Sequence, residues 1–422
     1  LFFNIIIIIP ELNKYFFKSM SLIVMKFGGT SVANIEKINN VAKIIQKEIK
    51  KNKLIVILSA MAGVTNQMQN YIEEINSKND IENDLILTSG ENVTIGILSS
   101  VLNSKKIKSI PLLGWQVPII TDNNHQKAKI LNIDKDRINK FLKDYDVIVL
   151  AGFQGINLQG NITSLGRGGS DTTAVAIAAA TNADRCDIYT DVDGVFTSDP
   201  SIVDKARKIN KLAYEEMLEM SSTGAKVLHT RSVELAMKNN LVLQVLSSIT
   251  KKPGTLILDE KNLIEKEIVS GVSYSKNETK ITISGIEDKP GISAKLFGLL
   301  ADGNINVDMI VQNISQDGIY ANITFTVPNN EANFASEILE SNSSVISFKS
   351  LKTDENVSKI SVIGMGMMSQ SGVAQKMFKT LADNSINILA ISTSEIKISV
   401  LIEGKYTDIA VKKLHSAYNL NG

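Results

Sequence analysis

The chain has 422 residues, 44% hydrophobic and 21% charged, an ordinary globular composition with room for two or three domains. Its 45 basic and 44 acidic residues leave a net charge of +1, so no global electrostatic case arises for nucleic acid or a membrane surface as a partner. A single cysteine, Cys186, excludes an internal disulfide framework, and the histidines (His125, His229, His415) are too scattered for a zinc site, so no metal-ligand set is expected. A reducing cytoplasm is the simplest compartment.

Residues 1–19, "LFFNIIIIIPELNKYFFKS", carry an apolar run ended by Pro10 that is too short to span a bilayer. The segment lacks a basic n-region and a small-residue cleavage site, and most of its residues are encodable by A/T-only codons. It is expected to be translated upstream sequence or a leader outside the fold, with Met20 just before the first convincing strand.

That strand, "LIVMKF", breaks into Gly28-Gly29 and then a helix. Such a turn lets backbone N–H groups approach an anion, although Lys26 precedes the glycines and neither the Walker nor the Rossmann spacing is present. Alone, the glycine pair is a weak signal that favours a plain tight turn. In the following helix Ile35, Ile38, Val41, Ile45 and Ile49 recur at helical spacing, with Asn34 as N-cap. "KLIVILSAM" is a buried strand, completing a parallel β-α-β unit. "SIPLLGWQVPIIT", "DVIVLAGFQG", the small-residue helix "TTAVAIAAATNA" and "CDIYTDVDGVF" continue the alternation. Residues 20–250 are therefore expected to form an α/β domain: an open, mostly parallel sheet sandwiched by helices, with ligands at the carboxyl ends of the strands.

Pro and Gly in "KKPGTLI" mark a boundary, with a linker expected over 251–265. Beyond it the chain repeats itself. Ile281–Ile310 aligns with Ile360–Ile391 after a two-residue insertion, matching Lys295 with Lys376, Phe297 with Phe378 and Ile305-Asn306 with Ile386-Asn387. Two α+β units, 266–345 and 346–422, are expected to pair with each other or with a second subunit.

Four clusters could carry chemistry. Lys26 beside Gly28-Gly29 suits a polyphosphate. Ser59 and Thr65 offer hydroxyls in "SAMAGVTN". In "TSGENV", Glu91 sits near a helix start, where a helix-dipole partner is the plain alternative. "TSLGRGGSDTTA" is the most informative: Gly166, Gly168 and Gly169 leave Arg167 uncovered as a bidentate fork, and Asp171 precedes a helix as a candidate N-cap. The acidic turn "YTDVDGVFTSDP" lacks the spacing of a calcium-binding EF-hand loop. No nucleophile–base pair stands out, and glycine turns with cations suit phosphoryl transfer.

Together "KFGGTSV", "SGE", "SLGRGGSD", "YTDVDGVF" and "GAKVLH" with "RSVE" resemble the aspartokinases of the amino-acid kinase family, and the duplicated unit resembles their tandem ACT domains through "DKPG", "VDMIVQN" and "ISTSEIKISV". The resemblance spans Met20 to the last residue. It implies transfer of the ATP γ-phosphate to the β-carboxylate of L-aspartate, the first step towards lysine, threonine, methionine and diaminopimelate, with Mg2+ held mainly through the nucleotide phosphates. It further implies that Lys26 neutralises charge and Asp171 orients the site, both as catalytic groups. Phe27, Gly28 and Gly29 would cradle phosphates with Lys26, while Thr190, Asp191, Phe196, Thr197, Ser198, Asp199 and Lys226 would line the nucleotide. Ser59, Thr65, Glu91 and Arg167 would hold aspartate, Glu91 at the α-ammonium and Arg167 at the α-carboxylate.

In the ACT units, Asp288, Gly291, Ser293, Gln312, Asn387 and Ser392 would contact a feedback amino acid, lysine and/or threonine, in a homodimer or higher oligomer. Three departures from the family pattern stand out. Ser201 follows Pro200 where an arginine is usual, leaving a phosphate contact to Arg207 or Lys205. Thr230 replaces a proline in "HTRSVE", and "SQSGV" replaces "HPGV" in the second ACT unit. A kinase for glutamate, acetylglutamate or a nucleotide, and a catalytically dead amino-acid sensor, are the competing readings.

Overall fold

A computed structural model describes residues 20–223, 227–250, 252–263, 267–315 and 318–422, so the segment 1–19 and Lys226 lie outside the described residues. Contacts divide the chain into one unit running through Asp191 with Leu241–Gln244, and a second formed by Val192–Asn240 and Val245–Gly422. The division falls inside the stretch that the sequence assigns to one α/β domain.

The first unit begins with β1 (Ser21–Phe27), whose Val24, Met25 and Phe27 are fully buried. α1 (Ile35–Glu48) follows, and the Asn34 side chain caps it by accepting from the Lys37 N–H. Ile38, Val41 and Ile45 face the core as their spacing requires, whereas Ile35 is exposed in the first turn. β2 (Asn52–Leu58) returns parallel to β1. Three helices come next: α2 (Val64–Glu74), α3 (Asp80–Leu87) and α4 (Ser89–Ser104). The run Asp80–Ser104 is long and apolar enough to cross a membrane by composition, yet half of it is buried within the fold. The stretch "SIPLLGWQVPIIT" supplies two strands, β3 (Ser109–Leu112) and β4 (Ile119–Thr121), in different sheets.

β5 (Ile130–Ile133), α5 (Lys135–Asp144), β6 (Val147–Ala151), β7 (Gln154–Asn157), β8 (Ile162–Ser164), α6 (Gly169–Ala180) and β9 (Arg185–Thr190) complete this unit's named elements. Within this unit the main sheet runs β9-β1-β2-β6-β3, with all four neighbouring pairs parallel. Phe27 is in register with both Leu58 and Tyr189, and Leu58 with Ala151. The carboxyl ends of four strands therefore finish level, and the loops beyond them share one edge, where ligands of such sheets bind. A smaller sheet, β5-β4-β7-β8, closes with the β7–β8 hairpin and delivers the chain to Arg167.

In the second unit β10 (Lys211–Ala213) leads into α7 (Tyr214–Ser222); α8 (Thr230–Lys238), β11 (Leu243–Ser247) and β12 (Thr255–Leu258) follow. β12 lies in the expected linker but is a strand, paired parallel with β10. The repeat consists of β13 (Gly271–Glu287), α9 (Ile292–Asp302), β14 (Asp308–Ile314), β15 (Tyr320–Val327), α10 (Ala332–Ser341), α11 (Ser343–Ile346), β16 (Ser350–Ile363), α12 (Val373–Asp383), β17 (Ala390–Thr393), β18 (Lys397–Glu403) and α13 (Thr407–Ala417). One six-stranded antiparallel sheet, β14-β15-β13-β16-β18-β17, serves both copies. β13 and β16 run through both, so the second copy is not a contiguous piece of chain: it takes the start of β13, Gly271–Ser275, from ahead of the first. α9 and α10 pack on Ile281, Ile283 and Phe325 in the first core. α12 and α13 pack on Ile360, Val362 and Val400 in the second, which also takes in Ile202 and Val203.

Candidate active site

The sheet edge of the first unit gathers most of the sequence's candidates. Lys26 is the penultimate residue of β1, and its Nζ lies 2.5 Å from Asp171 Oδ1, both side chains nearly buried. Asp171 is not an N-cap, contrary to the sequence reading. Gly168, in the left-handed region at φ +71°, holds the cap position of α6, and Asp171 follows three residues later, inside the first turn. There its carboxylate both favours the helix N-terminus and pairs with Lys26.

Phe27 contributes its ring to the core, stacked on Tyr189 with centroids 4.5 Å apart. Its carbonyl accepts the Ser59 N–H, tying the ends of β1 and β2. The Gly28 N–H donates to the Tyr189 carbonyl at 3.3 Å. A Cβ on Gly29 would come within 2.9 Å of the Ala60 carbonyl, so the glycine is required by close approach of two loops. Thr65 is the second residue of α2, whose N-cap Gly63 sits at φ +86°. Thr190 donates its hydroxyl to Asp191 Oδ1.

Glu91 lies in the first turn of α4, 2% exposed. One carboxylate oxygen accepts the Ala60 N–H at 3.0 Å, while the other is buried without a partner among the described residues. Burial pushes its pKa up to about 7, against the opposing hydrogen bonds from the Ala60 and Glu91 backbones. A half-satisfied buried carboxylate is far from the plain helix-dipole partner of the sequence reading. Its open acceptor suits a cation that brings N–H donors. Arg167 is exposed between glycines in the left-handed region, Gly166 at φ +75° and Gly168 at φ +71°. The residues that complete this site without a sequence signal are Ala60 and Tyr189, because both act through backbone groups.

The remaining nucleotide candidates belong to the second unit. Thr197 is 1% exposed, and its hydroxyl is 2.9 Å from the buried His415 Nε2 and accepts the Arg207 N–H. Its carbonyl accepts the Val272 N–H, which brings β13 against this turn. Phe196 bridges to Lys208, and the buried Ser198 hydroxyl has no hydrogen-bond partner among the described residues. Asp199 accepts from the Ser201 N–H, the Ser201 hydroxyl and the Tyr274 hydroxyl. Arg207, a candidate substitute for the missing arginine, is ion-paired with Glu267.

Of the effector candidates, Ser293 donates to Gln312 Oε1 at 3.3 Å, and the Asp288 N–H donates to the Ile319 carbonyl. Gly291 caps α9 at φ +89° with open space around it. Asn387 is exposed, and Ser392 is half-buried on β17, in register with Ser399.

A level strand edge bearing a lysine–aspartate pair, glycine turns and a buried acid agrees with the known proteins that this chain matches. The model of the amino acid kinase family matches residues 21–247, and an ACT domain model matches 274–342 and 360–418. The chain belongs to the amino acid kinase family. An aspartate kinase of Pseudomonas fluorescens is 48% identical over 407 residues, covering 95% of this chain and 98% of the relative. An aspartokinase of Helicobacter pylori is 45% identical over 406 residues, covering 95% and 100%. The structure of E. coli aspartokinase III with aspartate and ADP superposes at a TM-score of 0.79 with 25% identity, covering 94% of this chain and 99% of that one. The same enzyme with lysine and aspartate gives 0.74 and 26%, again over 94% and 99%. Within its family, the chain groups with the aspartokinases.

Proposed function

We propose that this chain is an aspartate kinase that transfers the γ-phosphoryl group of Mg-ATP to the β-carboxylate of L-aspartate, giving 4-phospho-L-aspartate and ADP. The observation that carries the reading is Glu91, a buried carboxylate with one unpartnered oxygen, in the unit whose strand edge holds the Lys26–Asp171 pair. Glu91 receives the α-ammonium of aspartate and Arg167 takes the α-carboxylate in a two-pronged pairing. Ser59 and Thr65 complete the amino-acid pocket.

In the reaction a β-carboxylate oxygen attacks the γ-phosphorus, and the bond to the β,γ-bridging oxygen breaks, leaving its electrons on ADP. The attacking carboxylate is already ionised at neutral pH, so no general base is needed. Lys26 offsets charge on the transferring phosphoryl oxygens, and Asp171 holds the ammonium in place. Gly28 and Gly29 let backbone come close to the phosphates. Thr190, Asp191, the turn Phe196–Asp199 and Lys226 serve the nucleotide, and magnesium enters with it as part of the substrate.

The ACT pair provides feedback, with lysine or threonine held at Asp288, Gly291, Ser293, Gln312, Asn387 and Ser392 in a homo-oligomer of a cytoplasmic biosynthetic enzyme. Such control requires an effector to bind active and inactive states unequally. A hydroxamate assay for the acyl phosphate tests the reading with ATP and either aspartate or glutamate. Product with aspartate alone is expected, reduced when lysine or threonine is added. No product with aspartate, or equal product with glutamate, would overturn it.

A further inference from the structure

Asp84 is a charged side chain with no exposed surface, on α3 in the otherwise apolar sequence "DLIL", seven positions before Glu91. Its carboxylate gathers donors from two other segments. His125 Nδ1 lies 2.6 Å from Oδ2, and the Gln126 N–H lies 3.1 Å and 3.2 Å from the two oxygens. The Ser164 hydroxyl donates to Oδ1 at 2.5 Å. Three polar groups around one buried carboxylate satisfy most of its acceptor capacity, as such a group requires.

The segments so joined are those that carry the amino-acid pocket. Ser164 ends β8, and Arg167 follows three residues later. His125 and Gln126 belong to the β4–β5 loop, whose Gln126 carbonyl lies 2.8 Å from where a Cβ on Gly166 would stand. The Ala128 N–H donates to the Ser164 carbonyl, so the loop is stitched to β8 on both sides of the carboxylate. A second strut, from Gln126 Nε2 to Asp80 Oδ1 at 2.8 Å, ties the loop to the start of α3. Gln126 itself is held at φ +62°, a conformation that needs such fixing. Glu91 sits beyond the other end of α3, in the first turn of α4.

We propose that Asp84 is a positioning residue for amino-acid substrate: it holds the turn of Arg167 against the helix pair that carries Glu91, and so sets the separation of the two charges that recognise the α-carboxylate and the α-ammonium. This rests on the assignment of Glu91 and Arg167 to aspartate. Asp84 touches neither substrate; it acts through Ser164 and the β4–β5 loop. A pocket read at two ends by opposite charges is sensitive to their spacing, and a misplacement of about 1 Å costs on the order of a hundredfold in rate.

The test uses Asp84→Asn, Ser164→Ala and His125→Ala in the full chain, with steady-state kinetics in both substrates and a thermal melt of each variant. Ser164→Ala and His125→Ala each remove one donor and keep the proposal testable where Asp84→Asn fails to fold. The KM for aspartate is expected to rise about tenfold or more, as for loss of a charge-assisted hydrogen bond, with the KM for Mg-ATP within about twofold of the parent protein. A parallel loss for both substrates, or a lowered melting temperature with an unchanged KM for aspartate in all folded variants, would overturn the positioning role. A parent chain that phosphorylates no aspartate refutes the function; a parent that does so while the variants keep its KM refutes this inference alone.

Discussion

The Thr197 hydroxyl and the His415 imidazole stand 2.9 Å apart, both buried, joining the acidic turn after β9 to the last helix of the second ACT repeat. His415 Nδ1 faces Asn421 Oδ1 at 3.1 Å, so the neutral ring donates from Nδ1 and accepts the Thr197 O–H at Nε2. Burial, aided by the Arg207 charge, lowers its pKa from 6.5 against the Asn421 hydrogen bond. The folded state therefore favours the neutral ring. Its contribution is complete above the unfolded value of 6.5 and is lost as pH falls through the folded pKa. Thermal melts from pH 7.5 to 5 should show this slope, and His415→Asn should flatten it. Because Thr197 belongs to the proposed nucleotide turn, the same variant should raise the KM for ATP and leave the KM for aspartate nearly unchanged.

Lys26→Ala should lower kcat by about a hundredfold or more, the size expected when a preorganised charge on the transferring group is removed. Asp171 loses its ion-pair partner in that variant. Single-turnover measurements separate this loss from weaker ATP binding, and an unaltered rate would end the assignment of Lys26.

Glu91 makes a prediction about protons. In the free protein its pKa stands near 7, raised from 4.5 by burial, so at pH 6 the carboxyl is mostly protonated. An arriving ammonium favours the carboxylate, and aspartate binding at pH 6 should release close to one proton per site. Calorimetry in buffers of different ionisation enthalpy reads this directly. Glu91→Gln should abolish the release and weaken aspartate by about tenfold or more. Without ligand, stability should fall as pH rises from 4.5 towards 7, since the folded state holds this proton more tightly than the unfolded chain. Glu91→Gln should remove that slope as well.

The two glycines after β1 should answer differently to alanine. A Cβ at Gly29 meets the Ala60 carbonyl at 2.9 Å, a backbone atom that cannot step aside, and Ala60 is the donor to Glu91. A Cβ at Gly28 meets the Lys26 Nζ at 3.4 Å, an ordinary van der Waals contact. Gly29→Ala should cost on the order of tenfold to a hundredfold in kcat/KM for aspartate, and Gly28→Ala distinctly less. Equal effects would show that the spacing of these loops does not matter to the substrate.

What could be read along the chain was whatever depends on short range. The apolar period of α1, its Asn34 cap and the strand-to-glycine turns were legible because each is local, and the repeat because its two copies share residues in the same order. Asp171 was wrongly seated, since the cap position went to Gly168 and its partner Lys26 is distant in sequence. The unpartnered oxygen of Glu91 and the enclosure of Thr197 by His415 depend on tertiary neighbours that no local pattern encodes. β12 was taken for linker because Pro253-Gly254 announce a break; the strand starts immediately after them.

The seventeen residues of β13 pair at one end with Ser275↔Lys359 and Gly271↔Ile363, and at the other with Lys280↔Asp354 and Ser284↔Ser350. Each ACT repeat therefore borrows a strand that the other also needs. A chimera that exchanges one repeat at residue 345 for that of a relative would import a foreign half-sheet yet keep the old β13, facing a new β16. Regulatory specificity in this protein is inherited as a pair, and grafting should succeed only when the whole of 271–417, α13 included, is moved together.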